Sequence, residues 1–340
     1  MYEIMTSDEA IRLIRDGDCI CVNSFVGIEN PVELHEALYR RYQKMQSPTH
    51  LTIVSSAGFG VWDTEHNAEG YIRDGAVDRL ICGHFGAMMS TKKLVLEDRF
   101  EAYNLPLGCI SHAIRAQAGG LSGALSKVGL DIFVDPRMEG PGINRVSIDD
   151  SLVKHVEVDG EEFLYYKLPK ITIALIKGTA ADHKGNITFD DMFMSGDALS
   201  ICQAVKANRG KVIVQVDRLV DTPSRPRNAI IPGCLVDAIV VAEPQERNEA
   251  YTALTGSFEI PYEEWHTWSE KIDQASEKML KDNTIGKIIG RRAAKELRVD
   301  DIVNIGIGIP EMVSRYARKS GMLDMVTLTV ESGGIGGFPV

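Results

Sequence analysis

The sequence predicts an α/β fold of mainly parallel, helix-covered sheets, arranged as two similar open α/β domains of which the second is incomplete in this chain. Three observations lead there. Short, predominantly apolar runs recur at residues 19–22, 51–54, 79–82, 171–176, 212–216 and 238–242. A strand with one wet face alternates apolar and polar residues, so runs without alternation belong to strands covered on both sides. Stretches of helical period separate most of these runs. The third observation is an internal repeat near the C-terminus.

In chain order, Thr6-Ser7-Asp8-Glu9 precedes the apolar positions Ala10, Leu13 and Ile14, an N-cap signal followed by a helical stripe that Gly17 ends. The run Cys19-Ile20-Cys21-Val22 is the first strand, and Asn30-Pro31 leads into a helix through Val32, Leu34 and Leu38. Residues 156–167 differ: two short runs flank Asp159-Gly160, a hairpin turn signal, and the hairpin is expected at the sheet's edge. Residues 1–256 are read as the first domain, the polar and aromatic residues 257–285 as a connector, and residues 286–340 as the start of a second domain.

Residues 10–22 match residues 293–305 without gaps, pairing Arg15 with Arg298 and Asp18 with Asp301. Residues 51–60 likewise match residues 327–336, which sets Ser55 opposite Glu331. The second copy has barely begun at residue 340, so the remainder of its sheet is expected from a companion polypeptide or is lost from this chain.

Thirty-seven basic against 48 acidic residues give a formal charge of −11, which disfavours nucleic acid and anionic membrane surfaces as partners. The N-terminus carries charges throughout and no run approaches the roughly 18 apolar residues of a spanning helix, so a cytoplasmic protein is expected. Six cysteines without a C-x-x-C pair read as buried free thiols. Eight histidines without an i, i+4 pair give no sign of a metal site, and His84 and His112 read as structural.

The sharpest chemical signal is the stretch from Thr327 to Gly337. An apolar strand ends in the carboxylate of Glu331, and Gly333, Gly334, Gly336 and Gly337 follow. Ligands of α/β sheets bind beyond the carboxyl ends of strands, where glycine lets a ligand approach the backbone. A second loop holds Gly306 and Gly308, which can supply backbone donors, though the third glycine of a dinucleotide fingerprint is missing. Val26-Gly27 is the equivalent turn of the first copy.

The chain resembles the class I CoA-transferases, most closely the acetate or propionate branch with both halves fused. The resemblance rests on Tyr103-Asn104-Leu105-Pro106-Leu107-Gly108 with Ser111-His112, on Phe133-Val134-Asp135-Pro136-Arg137, on Gly178-Thr179-Ala180-Ala181-Asp182 with Gly185-Asn186-Ile187-Thr188, and on residues 326–339. It implies that Glu331 attacks an acyl-CoA thioester to give a mixed anhydride. Released CoA thiolate then forms a glutamyl-CoA thioester, and an acceptor acid reverses the sequence. It further implies oxyanion donors from glycine loops, with Gly27 the candidate in the first half. Coenzyme A enters as substrate and covalent intermediate, with no permanently bound cofactor. The resemblance also implies an acyl-CoA and a short-chain carboxylate as partners and assembly as a homo-oligomer. The family's CoA-binding glycine motif lies beyond residue 340. An acyl-CoA hydrolase on the same scaffold and a non-catalytic subunit are the alternative readings.

Overall fold

Residues 2–60, 69–86, 88–148, 150–192, 194–222, 224–225, 227–243, 284–306, 308–330 and 335–336 are described by the structure, a computed structural model. They fall into two units, Met1–Gly256 and Ser257–Val340.

The first unit begins with strand β1 (Glu3–Ile4) and the short helix α1 (Ser7–Ala10). Thr6 and Glu9 cap α1 reciprocally: the Glu9 N–H donates to Thr6 Oγ1 and the Thr6 N–H to Glu9 Oε2. The expected stripe through Leu13 continues only as a 3₁₀ turn, Ile11–Leu13. There follow β2 (Cys19–Val22), α2 (Val32–Met45), β3 (Leu51–Ser55), α3 (Gly70–Arg73), β4 (Val77–Cys82), α4 (Met89–Leu96), β5 (Glu101–Asn104) and α5 (Leu107–Ala118). After β6 (Ala124–Ser126), β7 (Val153–Val158) and β8 (Glu161–Tyr166) come β9 (Ile173–Asp182), β10 (Ile187–Thr188), α6 (Ala198–Ala207), β11 (Lys211–Val220), β12 (Ala229–Ile231) and β13 (Ala238–Val241).

The main sheet runs in the order β1-β13-β11-β9-β2-β3-β4-β5, every pair along it parallel, with β10 and β12 attached antiparallel beside β9. The chain winds outward from β2 to β5 in one direction and from β9 to β13 in the other. The reversal therefore falls between β2 and β9, where open α/β sheets bind ligands.

The absence of alternation in the strands is explained by the two cores. Cys19 and Cys21 of β2 join a cluster with Ile110 and Ile114 of α5 and Ile201 and Val205 of α6. Ile20 and Val22 point the other way, into a cluster with Leu34 and Leu38 of α2. Successive side chains of a strand enter opposite faces, so a sheet covered twice needs apolar residues at every position.

The hairpin around Asp159-Gly160 forms as expected, with both residues at positive φ, 53° and 78°. It does not edge the main sheet: β7 and β8 pair with β6 in a separate three-stranded antiparallel sheet. Of the six free cysteines five are buried, but Cys234 is exposed, contrary to the sequence reading. It sits in the 3₁₀ turn Gly233–Leu235 rather than in a strand.

In the second unit helix α7 (Thr284–Ala293) takes up the last two residues of the expected connector. The rest of that connector lies outside the described residues. Strand β14 (Ile302–Ile305), helix α8 (Glu311–Lys319) and strand β15 (Thr327–Val330) follow, with β14 and β15 parallel. No described helix is long and apolar enough to cross a membrane.

The repeat is visible in hydrogen bonds. The Arg15 N–H donates to Asp18 Oδ2 at 2.7 Å, and the Arg298 N–H to Asp301 Oδ2 at 2.8 Å. Thr52 donates its N–H to Asp18 O at 3.0 Å, as Thr327 does to Asp301 O at 2.9 Å. This corrects the alignment by one residue. The counterpart of Thr327 is Thr52, not Leu51, and that of Glu331 is Ser56, not Ser55.

Candidate active site

At the sheet's topological switch a cleft of about 60 Å³ is lined by Val22 at the end of β2, Asn23, Ser24 and Phe25 after it, Ser56 and Ala57 after β3, and Met194, Gly196 and Asp197 ahead of α6, with Glu29 among them. The polar residues of this lining all come from loops, which therefore supply the chemistry.

The loop from β2 to α2 is built around a narrow turn. Phe25 and Ile28 exchange backbone hydrogen bonds of 3.1 and 3.0 Å, and Ser24 Oγ donates to the carbonyls of Val26 and Ile28. Val26 and Glu29 both adopt left-handed backbone, φ 57° and 58°. For non-glycine residues this costs on the order of 1–3 kcal/mol each, and it persists where surrounding bonds over-determine the conformation.

The turn delivers the Glu29 carboxyl, 5% exposed, to the cleft. Oε1 accepts the Met194 N–H at 2.6 Å and Oε2 the Asn23 side-chain amide at 3.3 Å. Burial pushes this carboxyl up to about 7, against the pull of the two hydrogen bonds and of the Lys177 charge. Asn23 also reaches the opposite wall, where its Oδ1 accepts the Asp197 N–H at 3.0 Å. This approach requires the glycine at 196 (φ +52°), whose Cβ would stand 2.7 Å from Asn23 Oδ1. The Asp197 carboxylate takes hydroxyl donors from Ser111 at 2.5 Å and Ser56 at 2.9 Å, with the Arg115 guanidinium at 3.9 Å.

None of the described histidines lines the cleft. His35 is buried, stacked on Phe59 and Tyr71, and burial pushes its pKa down to about 3. His84 and His112 are exposed. Among the described residues no group of three or more His, Cys, Asp or Glu side chains could hold a metal ion.

Of the residues singled out in the sequence, Gly27 sits half-buried in the left-handed turn, two residues from Glu29. Gly306 follows β14 directly and is half-buried. Gly308 is exposed, at φ +91°, and its N–H is engaged by Glu311 Oε1 at 2.7 Å, which withdraws it from the set of donors open to an oxyanion. Glu331, Gly333 and Gly334 lie outside the described residues. On either side of them β15 ends at Val330 and the Gly336 N–H donates to Leu328 O at 2.8 Å.

Sequence reasoning missed Asn23, Glu29, Ser56 and Asp197. A signal existed in the repeat: residues 23–31 join β2 to α2, whereas only residues 306–310 join β14 to α8. The first copy carries four additional residues where its turn places Glu29.

Residues 4–242 match the family model described as Coenzyme A transferase. The chain belongs to that family. It is 35% identical over 337 residues to acetate CoA-transferase YdiF of Escherichia coli K12, covering 98% of this chain and 61% of that protein. It is 34% identical over 340 residues to the caffeate CoA-transferase of Acetobacterium woodii, covering 100% of this chain and 63% of that one. The crystal structure of acyl-CoA transferase YdiF from E. coli O157:H7, in a thioester complex with CoA, superposes with a TM-score of 0.80 at 32% identity, over 99% of this chain and 63% of that chain. The chain thus spans about three fifths of these relatives' length. They carry their additional length in one chain, so the expected companion polypeptide draws no support from them.

Proposed function

We propose that the protein transfers coenzyme A from a short-chain acyl-CoA to a carboxylic acid, with Glu331 as the nucleophile. The observation that carries this reading is the match along almost the whole chain to proteins named acetate and caffeate CoA-transferase. The ladder supports the choice of residue: Glu331 directly follows β15, and its counterpart in the first copy, Ser56, lines the cleft.

The chemistry conserves the thioester's free energy. Attack of the Glu331 carboxylate on the acyl-CoA carbonyl breaks the C–S bond and leaves an acyl-glutamyl anhydride and a CoA thiolate. The thiolate attacks the glutamyl carbonyl, releasing the acyl carboxylate and leaving a glutamyl-CoA thioester. The acceptor acid runs the same steps backwards. Each tetrahedral intermediate bears an oxyanion, for which a backbone N–H contributes about 3 kcal/mol; Gly27 and Gly306 are the glycine-loop candidates. Water must stay out, because hydrolysis of either intermediate dissipates the thioester. Coenzyme A is then substrate and covalent intermediate rather than a resident cofactor.

Intact-protein mass spectrometry after incubation with acetyl-CoA tests the reading. A CoA-sized adduct on Glu331, lost on treatment with hydroxylamine and absent from Glu331→Ala, is the expected result. Glu331→Ala should lose transfer by at least about 10³-fold while its circular dichroism is unchanged. Retained turnover in that variant overturns the assignment of the nucleophile. CoA release without transfer to added acetate assigns the scaffold to hydrolysis instead.

A further inference from the structure

We propose that Glu29 receives the acid substrate, donating a hydrogen bond from its protonated carboxyl group to the incoming carboxylate. The inference rests on the proposed transfer reaction and names the group that its second substrate meets.

Three independent observations carry it. Glu29 lines the cleft at the sheet's topological switch, where a ligand of an open α/β sheet is expected. It is brought there by a segment found in one copy of the repeat alone, whose left-handed residues Val26 and Glu29 are held by Ser24 and by the Met194 N–H. Such strained placement clusters at sites that use the side chain. The third observation is the pattern of hydrogen bonds in the cleft. Asp197, the other cleft carboxylate, is committed to Ser56 and Ser111 with Arg115 alongside. Glu29 Oε2 has one long contact, 3.3 Å, to Asn23.

The charged groups around Glu29 define the coupling. Lys177 on β9 reaches it with a positive field, and Asp197, ahead of α6, faces it across Asn23. A substrate carboxylate placed against an ionised Glu29 would be repelled, whereas against the acid form it accepts a hydrogen bond. Because burial already holds this carboxyl near neutrality, the acid form is accessible at physiological pH. Substrate acid and proton therefore bind together. Above neutrality, affinity for the acid should fall by up to about tenfold per pH unit, with one proton taken up per acid bound.

Titration calorimetry with sodium acetate, in two buffers of different ionisation enthalpy between about pH 6 and pH 9, counts that proton. Uptake approaching one per acetate in the wild type at the alkaline end, and none in Glu29→Gln, is the expected result. No uptake in the wild type, unchanged uptake in Glu29→Gln, or no acetate binding overturns the proposal. Steady-state transfer on the same preparations separates this from the proposed function. Transfer whose acetate KM is flat with pH defeats the role of Glu29 and leaves the reaction standing. Acetate binding with proton uptake but no transfer defeats the reaction and leaves the acid-binding role. In the wild type the acetate KM should climb with pH while the acyl-CoA KM does not, a split that a merely structural Glu29 would not produce.

Discussion

Glu29→Gln should change the pH dependence of stability in a way that can be worked out before any activity is measured. The Glu29 carboxyl is raised from 4.5 to about 7 on folding. The folded state therefore binds the proton more tightly than the unfolded chain does. Below about pH 4.5 both states are protonated and burial of the neutral acid carries no electrostatic penalty. As pH rises, the unfolded chain ionises first, and stability falls until the folded carboxyl also ionises near 7. The difference of about 2.5 units, at 1.4 kcal/mol per unit, is about 3 kcal/mol lost by the wild type between those limits. Glutamine does not titrate, so the variant should escape that loss. Its amide meets the Asn23 amide donor–donor where Oε2 accepted, a fixed offset of about 1 kcal/mol that does not vary with pH. Urea unfolding of both proteins followed by circular dichroism at about pH 4.5 and pH 8 isolates the slope from the offset. The variant should gain about 3 kcal/mol on the wild type between the two conditions. Parallel pH dependences within about 0.5 kcal/mol would refute the claim that burial raises this carboxyl.

Two further outcomes follow from packing. A Cβ at Gly83 would stand 2.1 Å from Ser56 O and 3.2 Å from the Leu107 Cα, both backbone atoms, so Gly83→Ala must displace the end of β3 that carries Ser56. It should destabilise by about 3 kcal/mol in thermal unfolding, and an unchanged melting temperature counts against the close approach. Burial pushes the thiols of Cys19, Cys82 and Cys202 up to about 12 and that of Cys21 well above its ordinary value, while Cys234 is exposed. A thiol reagent should therefore label one cysteine of the native protein rapidly and all six after unfolding. Rapid labelling of two or more native thiols would contradict the burial of the other five side chains.

The strands were legible because a parallel sheet covered on both faces demands apolar residues at consecutive positions, and few other structures do. That same property hid their register. In an alternating strand a slip of one residue exchanges the wet and dry faces and is visible at once. The run at residues 51–54 is covered on both faces, so matching it by pattern to residues 327–330, where Leu328 alone is buried, could not distinguish Ser55 from Ser56 as the counterpart of Glu331. The backbone bonds Thr52 N–H to Asp18 O and Thr327 N–H to Asp301 O make the distinction. It has chemical consequences, for Ser55 is buried in the sheet whereas Ser56 lines the cleft. The hairpin at Asp159-Gly160 was legible as a hairpin and misplaced for a related reason: a turn signal specifies the two strands it joins and carries no information about a third.

Glu29 was invisible for the opposite cause. A glutamate in a loop between a strand and a helix is ordinarily solvated, and neither Val26 nor Glu29 is a residue whose type announces left-handed backbone. What exposes it is the comparison of the two copies. Both have the same Arg-Asp turn and the same parallel ladder, yet only the first lengthens the loop after its strand. A duplicated unit supplies its own control, because features shared by both copies are those the fold requires. The four residues that only one copy carries, holding a buried carboxyl at the mouth of the sheet, are the part of that loop the shared fold does not require.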